Sequence, residues 1–388
     1  MIKKEKFIKN IYMYLIFIYS FINILSSTYI DYVIPSYNTI YIFIQNLLIL
    51  TFAFIFIILI SHKITKKSII VIYSILMLTI IILLKNRDKS LLLLITMLIS
   101  FPKTIDIKKL CITIVKANAL AIITTITLCK LNLIKDYVFM QRGVFRHGLG
   151  FVSANALANL ITATLLIYIL YKKNNWKLHD TIFWLLILIL TNMQTNSRLA
   201  LLLGIFGVFF ATVSKYIAQK KIITNIIFKI TKYIFPFLFV SLILLTLYMD
   251  SITYNQAEYK LNELFSGRLF QMVDFYRQYG IHLIGSPIFT LGIKNAVETG
   301  VKWVGIDTSY MNYTLRYGLI FMICLGCLYM KLGKRIKQKN MLYEAIYVIT
   351  ICIMGITENI LLIPYFNFSL FLIVKAKKED LISEVGVK

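Results

Sequence analysis

Uncharged runs such as "LLILTFAFIFIILI" and "FPFLFVSLILLTLYM" constrain this chain more than any other feature. Each approaches the roughly 20 helical residues that cross a bilayer. In hydrocarbon the backbone must satisfy its own hydrogen bonds, which leaves helices or a closed barrel. Period-two alternation is absent, which argues against a barrel. With 59% hydrophobic side chains the chain lies outside the range of soluble domains. The expectation is an all-α, polytopic integral membrane bundle, residues 1–388 forming one membrane domain.

Apolar runs predict about twelve spans, near 11–30, 40–60, 68–84, 90–101, 110–129, 148–170, 181–193, 199–213, 233–249, 307–330, 341–356 and 359–374. The start, "MIKKEKFIKN" before an apolar run, has the form of a signal sequence without a small-x-small cleavage site, and reads as a retained signal anchor. All five cysteines fall in apolar segments, which argues against a disulfide framework. The "CLGC" spacing lacks polar partners and reads as small residues for helix packing.

Lysine and arginine keep loops cytoplasmic. With both termini inside, the inner segments hold 27 of the 42 basic residues, so the net charge of +25 is an orientation signal and a match to anionic lipid headgroups, not a nucleic-acid footprint. Of eight arginines only Arg335 falls on the inner side. Arg87, Arg142, Arg146, Arg198, Arg268 and Arg277 fall outside, and Arg316 lies within a span. Arginine differs from lysine in a planar fork that grips phosphate through two bonds, so the outer face is expected to hold a phosphate-bearing ligand; snorkelling and headgroup contacts are the plainer alternative.

Four outer segments carry this expectation. In "MQRGVFRHGLGFVSANALANL", Arg142, Arg146 and His147 precede a helix expected to start near Gly148, whose free amides and dipole attract an anion, with Asn155 and Asn159 on one face below. His147 reads equally as an interfacial side chain, and the asparagines as interhelical hydrogen-bonders. "TNMQTNSRLALLLGIF" reads as a polar turn, Thr191 to Ser197, with Ser197 capping a helix that begins at Arg198. The long loop 250–306 includes "SGRLFQMVDFYRQYG", an amphipathic helix capped by Ser266, with Arg268 in its first turn, Arg277 in its last and Leu269, Met272, Val273 and Tyr276 as its apolar stripe; such a helix could lie on the membrane surface. "DTSYMNYTLRYGLIF" puts Asp307 at the outer end of the tenth span and Arg316 nine residues deeper, where an ionised side chain needs a wet cavity or a partner.

"FRHGLGFVSANALANL", "NSRLALLL", "SGRLFQMVDFYRQYGIHLIGSP" and "DTSYMNYTLRYG", in this order, resemble the Wzy-type oligosaccharide repeat-unit polymerases of capsule and exopolysaccharide synthesis, distant relatives of the O-antigen ligases. The resemblance covers roughly residues 140–325. It implies an inverting membrane glycosyltransferase on the outer face of the plasma membrane, without metal or other cofactor. The enzyme would move a growing glycan from undecaprenyl pyrophosphate onto an incoming lipid-linked repeat unit, with a flippase and a chain-length regulator of the same pathway as partners. Functional arginines carry over to Arg142 or Arg146, Arg198, Arg268 and Arg277. Where the related ligases have a histidine after the large loop, Asp307 stands here.

The chemistry needs fixed cations facing the departing pyrophosphate and a general base for the acceptor hydroxyl. Asp307, then Glu263, are the favoured bases among the outer acids, and Arg268 and Arg198 the favoured cations; Arg142, Arg146, Arg277, Arg316, Asn155 and His147 are assigned to substrate binding. A flippase for lipid-linked sugars would show repeats and charges near the midplane of several spans. A ligase of finished polymer is the nearest enzymatic rival. A receptor or scaffold would leave the arginine asymmetry unexplained.

Overall fold

The computed structural model describes residues 2–60, 66–86, 88–102, 104–141 and 143–376; Arg87 and Arg142 therefore lie outside the described residues. Among the described residues the regular structure is helical apart from one hairpin, and six helices have the length and apolarity to cross a membrane: Glu5–Ser26, Tyr37–Leu59, Ile107–Lys130, Ala154–Asn175, Arg198–Gln219 and Lys221–Ser251. Shorter apolar helices, Leu76–Asn86, Lys89–Ile99 and Leu342–Met354, accompany them. All five cysteines are free. Two compact units divide the chain.

The first unit takes residues 1–73, 93–220 and 363–388. It holds α1 (Ile2–Ser26), α2 (Tyr37–Ile60), the start of α3 (Lys66–Asn86), most of α4 (Lys89–Ile99), α5 (Ile107–Lys130), the strands β1 (Val138–Gln141) and β2 (Val144–His147), α6 (Ala154–Lys172), α7 (Leu178–Thr195) and α8 (Arg198–Gln219). α1 packs on α2 and α5, α5 on α6, and α6 on α7 and α8. α6 is central because it is apolar all round, buried from Leu157 through Ile167. Polar side chains inside are paired: the Tyr12 hydroxyl donates to Met97 O at 2.9 Å, and Asn118 Nδ2 to Thr164 Oγ1 at 3.0 Å and Tyr365 O at 3.1 Å.

Several sequence boundaries move. The sixth span does not begin near Gly148; residues 138–147 form an antiparallel hairpin, and α6 starts at Ala154 behind Ser153, whose hydroxyl accepts from Ala156 N. Thr191 to Thr195 are the last turn of α7, not a loop, and the chain reverses only at Asn196, in the left-handed region. The lysine-rich stretch 214–232 is helical except at Lys220, between α8 and α9.

The second unit takes residues 74–92 and 221–362. Besides parts of α3 and α4 it holds α9 (Lys221–Ser251), α10 (Gln256–Leu264), α11 (Arg268–Tyr279), α12 (Ile293–Thr299), α13 (Ser309–Tyr317), α14 (Leu319–Gln338) and α15 (Leu342–Met354). α9 is the spine, with α11, α13, α14 and α15 packed along it. Phe235 stacks on Tyr329 at 4.4 Å, and Gly333 lets α14 approach the backbone of Lys232. Cys324 and Cys327 face outward, so Gly326, against Phe235, packs α14 where the CLGC motif suggested the cysteines would.

Three expectations fail here. α11 starts at Arg268 behind Gly267, not behind a Ser266 cap, and it buries Leu269, Met272, Val273 and Phe275 against protein rather than a bilayer surface. The tenth span is not continuous: it breaks at Gly318 (φ 94°, ψ 167°) into α13 and α14. The segment 282–286 fills the break. His282 O and Leu283 O accept from the first amides of α14, Leu319 N and Ile320 N, while Ser286 N donates to Leu315 O at 2.7 Å. A break buried in protein is tolerated because the freed backbone groups are satisfied in this way. The stretch expected as a twelfth span, 359–374, is turns through residue 368 and helical only from 369.

Candidate functional site

Helix α11 begins with Arg268, so this side chain leaves the first turn at the end of α11 nearest its N-terminus, and its apolar neighbours hold it in place. The residue is 8% exposed. Nε donates to Thr357 O at 2.7 Å and lies 3.4 Å from Asp307 Oδ2; Nη2 donates to Glu358 Oε1 at 3.0 Å. One cation thus stands between two carboxylates, an arrangement that a buried arginine needs and that would be costly with either partner removed.

The supports of this cluster come from three places in the sequence. Asp307 is fixed through its own amide, which donates to Gln271 Oε1 at 3.0 Å, one turn along α11 from Arg268. Glu358 follows α15 in the turn "GITEN", and the Ser309 hydroxyl at the start of α13 donates to Glu358 O at 2.5 Å and accepts from Ile360 N at 2.8 Å. The Asp307 carboxyl is about a third open, with a side-chain exposure of 35%. Burial of the rest pushes it above the usual aspartate range against the pull of Arg268. Glu358 lies nearer the guanidinium than Asp307 does, 3.0 Å against 3.4 Å. The bonds to Thr357 O and Glu358 run from Nε and Nη2, and Nη1 makes neither of them.

Glu358 escaped the sequence reading because two apolar runs flank it; an acid in a short Gly/Thr break between them was the available signal. Glu263, the second candidate base, is exposed on α10, and among the described residues no ion pair joins it to Arg268. Arg277 is half exposed and holds Asp250 Oδ1 at 2.6 Å, which ties the end of α11 to the end of α9 rather than offering a free cation. Arg316 pairs with Asp88 Oδ2 at 3.6 Å, and Tyr317 donates to the same carboxylate at 2.7 Å. Burial opposes the charge on Asp88, but bonds from Ser90 and Tyr317 and the nearby Arg316 hold its carboxyl below the usual range. Asp88, missed in the sequence, is the partner that an arginine at this position requires.

In the first unit the hairpin delivers Arg146 to the ends of two helices. Its side chain is buried over the Phe139 ring, 5.1 Å from the centroid. Nε donates to Thr195 O at 2.6 Å, Nη2 to Asn155 Oδ1 at 2.5 Å and Nη1 to Gln141 Oε1. Ser197 does not cap α8; its hydroxyl donates to Asn155 Oδ1 at 2.7 Å. Arg146 and Asn155 are thus brought together, in a network that fixes the β2–α6 corner to the α7–α8 turn. His147 Nδ1 lies 2.8 Å from Asp136 Oδ2, a carboxylate that also accepts from Leu149 N. Arg198 is exposed at the first position of α8. Arg142 lies outside the described residues.

Among the described residues no three His, Cys, Asp or Glu side chains gather as metal donors would. No family model, curated protein or solved structure matches the chain.

Proposed function

We propose that the chain is a membrane glycosyltransferase of the repeat-unit polymerase type, joining undecaprenyl-pyrophosphate-linked oligosaccharides on the outer face of the plasma membrane by inverting transfer. The observation that carries this reading is the meeting of Arg268 and Asp307, 39 positions apart, with Asp307 partly open. Asp307 takes the proton of the acceptor hydroxyl as its oxygen forms the new bond to the anomeric carbon. The bond from that carbon to the pyrophosphate breaks, and the leaving oxygen carries the electron pair toward Arg268 Nη1. Glu358 and Thr357 O hold the guanidinium so that its fork does not turn away. The membrane arrangement that goes with this reading is multi-pass, with both termini inside.

Deleting the gene and sizing lipid-linked and surface polysaccharide tests the proposal. A single lipid-linked repeat unit without long polymer is the expected result. Long polymer retained on the carrier would point to a ligase instead, and repeat units held on the inner leaflet to a flippase.

The acid limb of activity follows from Asp307. A base acts ionised, and burial raises its pKa above the ordinary aspartate value of about 4. Transfer therefore falls, as pH is lowered, at a pH above that value. The same sign makes ionisation cost stability as pH rises through the raised pKa, because the folded state binds this proton more tightly. A pH profile of transfer in native membranes measures the limb; an acid limb at or below pH 4 would exclude Asp307 as the base.

A further inference from the structure

The β1–β2 hairpin has two unlike faces. Its register pairs Phe139 with Arg146, and both point inward, the guanidinium over the ring. The alternate pairs, Met140 with Phe145 and Val138 with His147, therefore share the outer face. Met140 is 65% exposed, Phe145 64% and Val138 42%. Among the described residues nothing buries them. A soluble surface rarely presents such a cluster without a use for it.

We propose that this outer face of the hairpin inserts among the headgroups of an anionic lipid surface. The first argument is continuity. From Lys116 onward the exposed positions of α5, Lys116, Leu120, Ile123, Thr127 and Lys130, recur at helical spacing along one side of a helix long and apolar enough to cross a membrane, the side free to meet lipid. The chain leaves that span at Lys130 and goes directly through exposed Leu131 and Leu133 into β1, so the outward apolar surface continues from α5 to the hairpin at the level where the span ends. The second argument is charge: Lys130 and Lys135, both exposed, precede the hairpin, and the one acid between them and β1 is the partly buried Asp136. Apolar tips beside basic residues match the boundary between acyl chains and anionic headgroups. With its outer face seated there, the hairpin holds the Arg146 network of its inner face at headgroup depth. The inference is independent of the polymerase reading and of which leaflet is involved.

Tryptophan quenching in the full-length protein tests it. Phe145→Trp and, separately, Met140→Trp are reconstituted into vesicles of phosphatidylcholine and phosphatidylglycerol, and the emission of the native Trp176, Trp184 and Trp303 is subtracted using the unsubstituted protein. The expected result is a blue-shifted added emission that is lost when the lipids carry bromine near the headgroup end of the acyl chain and is little affected by aqueous acrylamide. Emission quenched by acrylamide and indifferent to bromine would overturn the proposal in favour of a water-facing hairpin. Emission that bromine reaches only after the protein is diluted with lipid would overturn it in favour of contact between copies of the chain. Two tryptophan positions guard against one failing to fold, and normal expression with a native melting transition qualifies each.

Discussion

On the polymerase reading, replacing Arg268 by lysine is expected to lower polymer formation by about two to three orders of magnitude while the protein still accumulates in the membrane. The size follows from losing a fixed donor aimed at developing negative charge, typically about 3 kcal/mol. Lysine keeps the positive charge between Asp307 and Glu358, so the buried cluster stays neutralised and the fold survives. A single ammonium cannot also reproduce the fork that reaches Thr357 O and Glu358 at once. Alanine is a different experiment. It leaves two carboxylates facing each other without a cation, and loss of one partner from a buried ion pair costs about 3–5 kcal/mol. The lysine variant is therefore measured as product length and transfer rate at matched protein level. Full-length polymer at an unchanged rate would remove Arg268 from the chemistry.

Changing Gly318 to alanine is expected to have the largest effect on stability. With φ 94° and ψ 167°, Gly318 occupies a region used almost only by glycine, where another residue costs of order 1–3 kcal/mol by itself. Steric contact adds to the strain. A Cβ at this position would stand 2.3 Å from Leu283 O and 2.4 Å from Gly285 N, both backbone atoms that cannot swing aside. To make room the segment 282–286 must withdraw, and then the first amides of α14 and the last carbonyls of α13 lose their partners. Gly300→Ala is the control: its φ is also positive, but a Cβ there meets nothing within 4 Å. Thermal unfolding in detergent and protease sensitivity of 282–286 read the difference. Wild-type melting for Gly318→Ala would show that the break between α13 and α14 is not held by this contact.

The helices were legible because lipid leaves the backbone few choices. A run such as "LLILTFAFIFIILI" has to satisfy its own hydrogen bonds, and α2 duly occupies Tyr37–Ile60. The same rule misled at 307–330 and 359–374. Hydropathy reports that a residue is buried in something apolar, and it does not distinguish lipid from protein. Gly318 sits in protein, where the segment 282–286, more than thirty positions earlier, replaces the missing helical bonds. The hairpin at 138–147 was hidden for a related reason: Phe139 and Arg146 only make sense as a pair once the strands are aligned.

For the candidate site, the sequence supplied the residue types. It singled out Arg268, Asp307, Arg146 and Arg316 because an arginine or an acid beside apolar helices needs a reason to be there. Partnership was decided by tertiary structure alone. Glu358 joins Arg268, Asp88 joins Arg316, Asp250 joins Arg277 and Ser197 turns from a cap into a support for Asn155, across separations of 27 to 228 positions. An ion pair acts over a few ångströms of space whatever the distance along the chain. So the sequence determined that this is a helical membrane protein with charges that demand neutralisation, and the packing of α9, α11, α13 and α15 determined which charges meet.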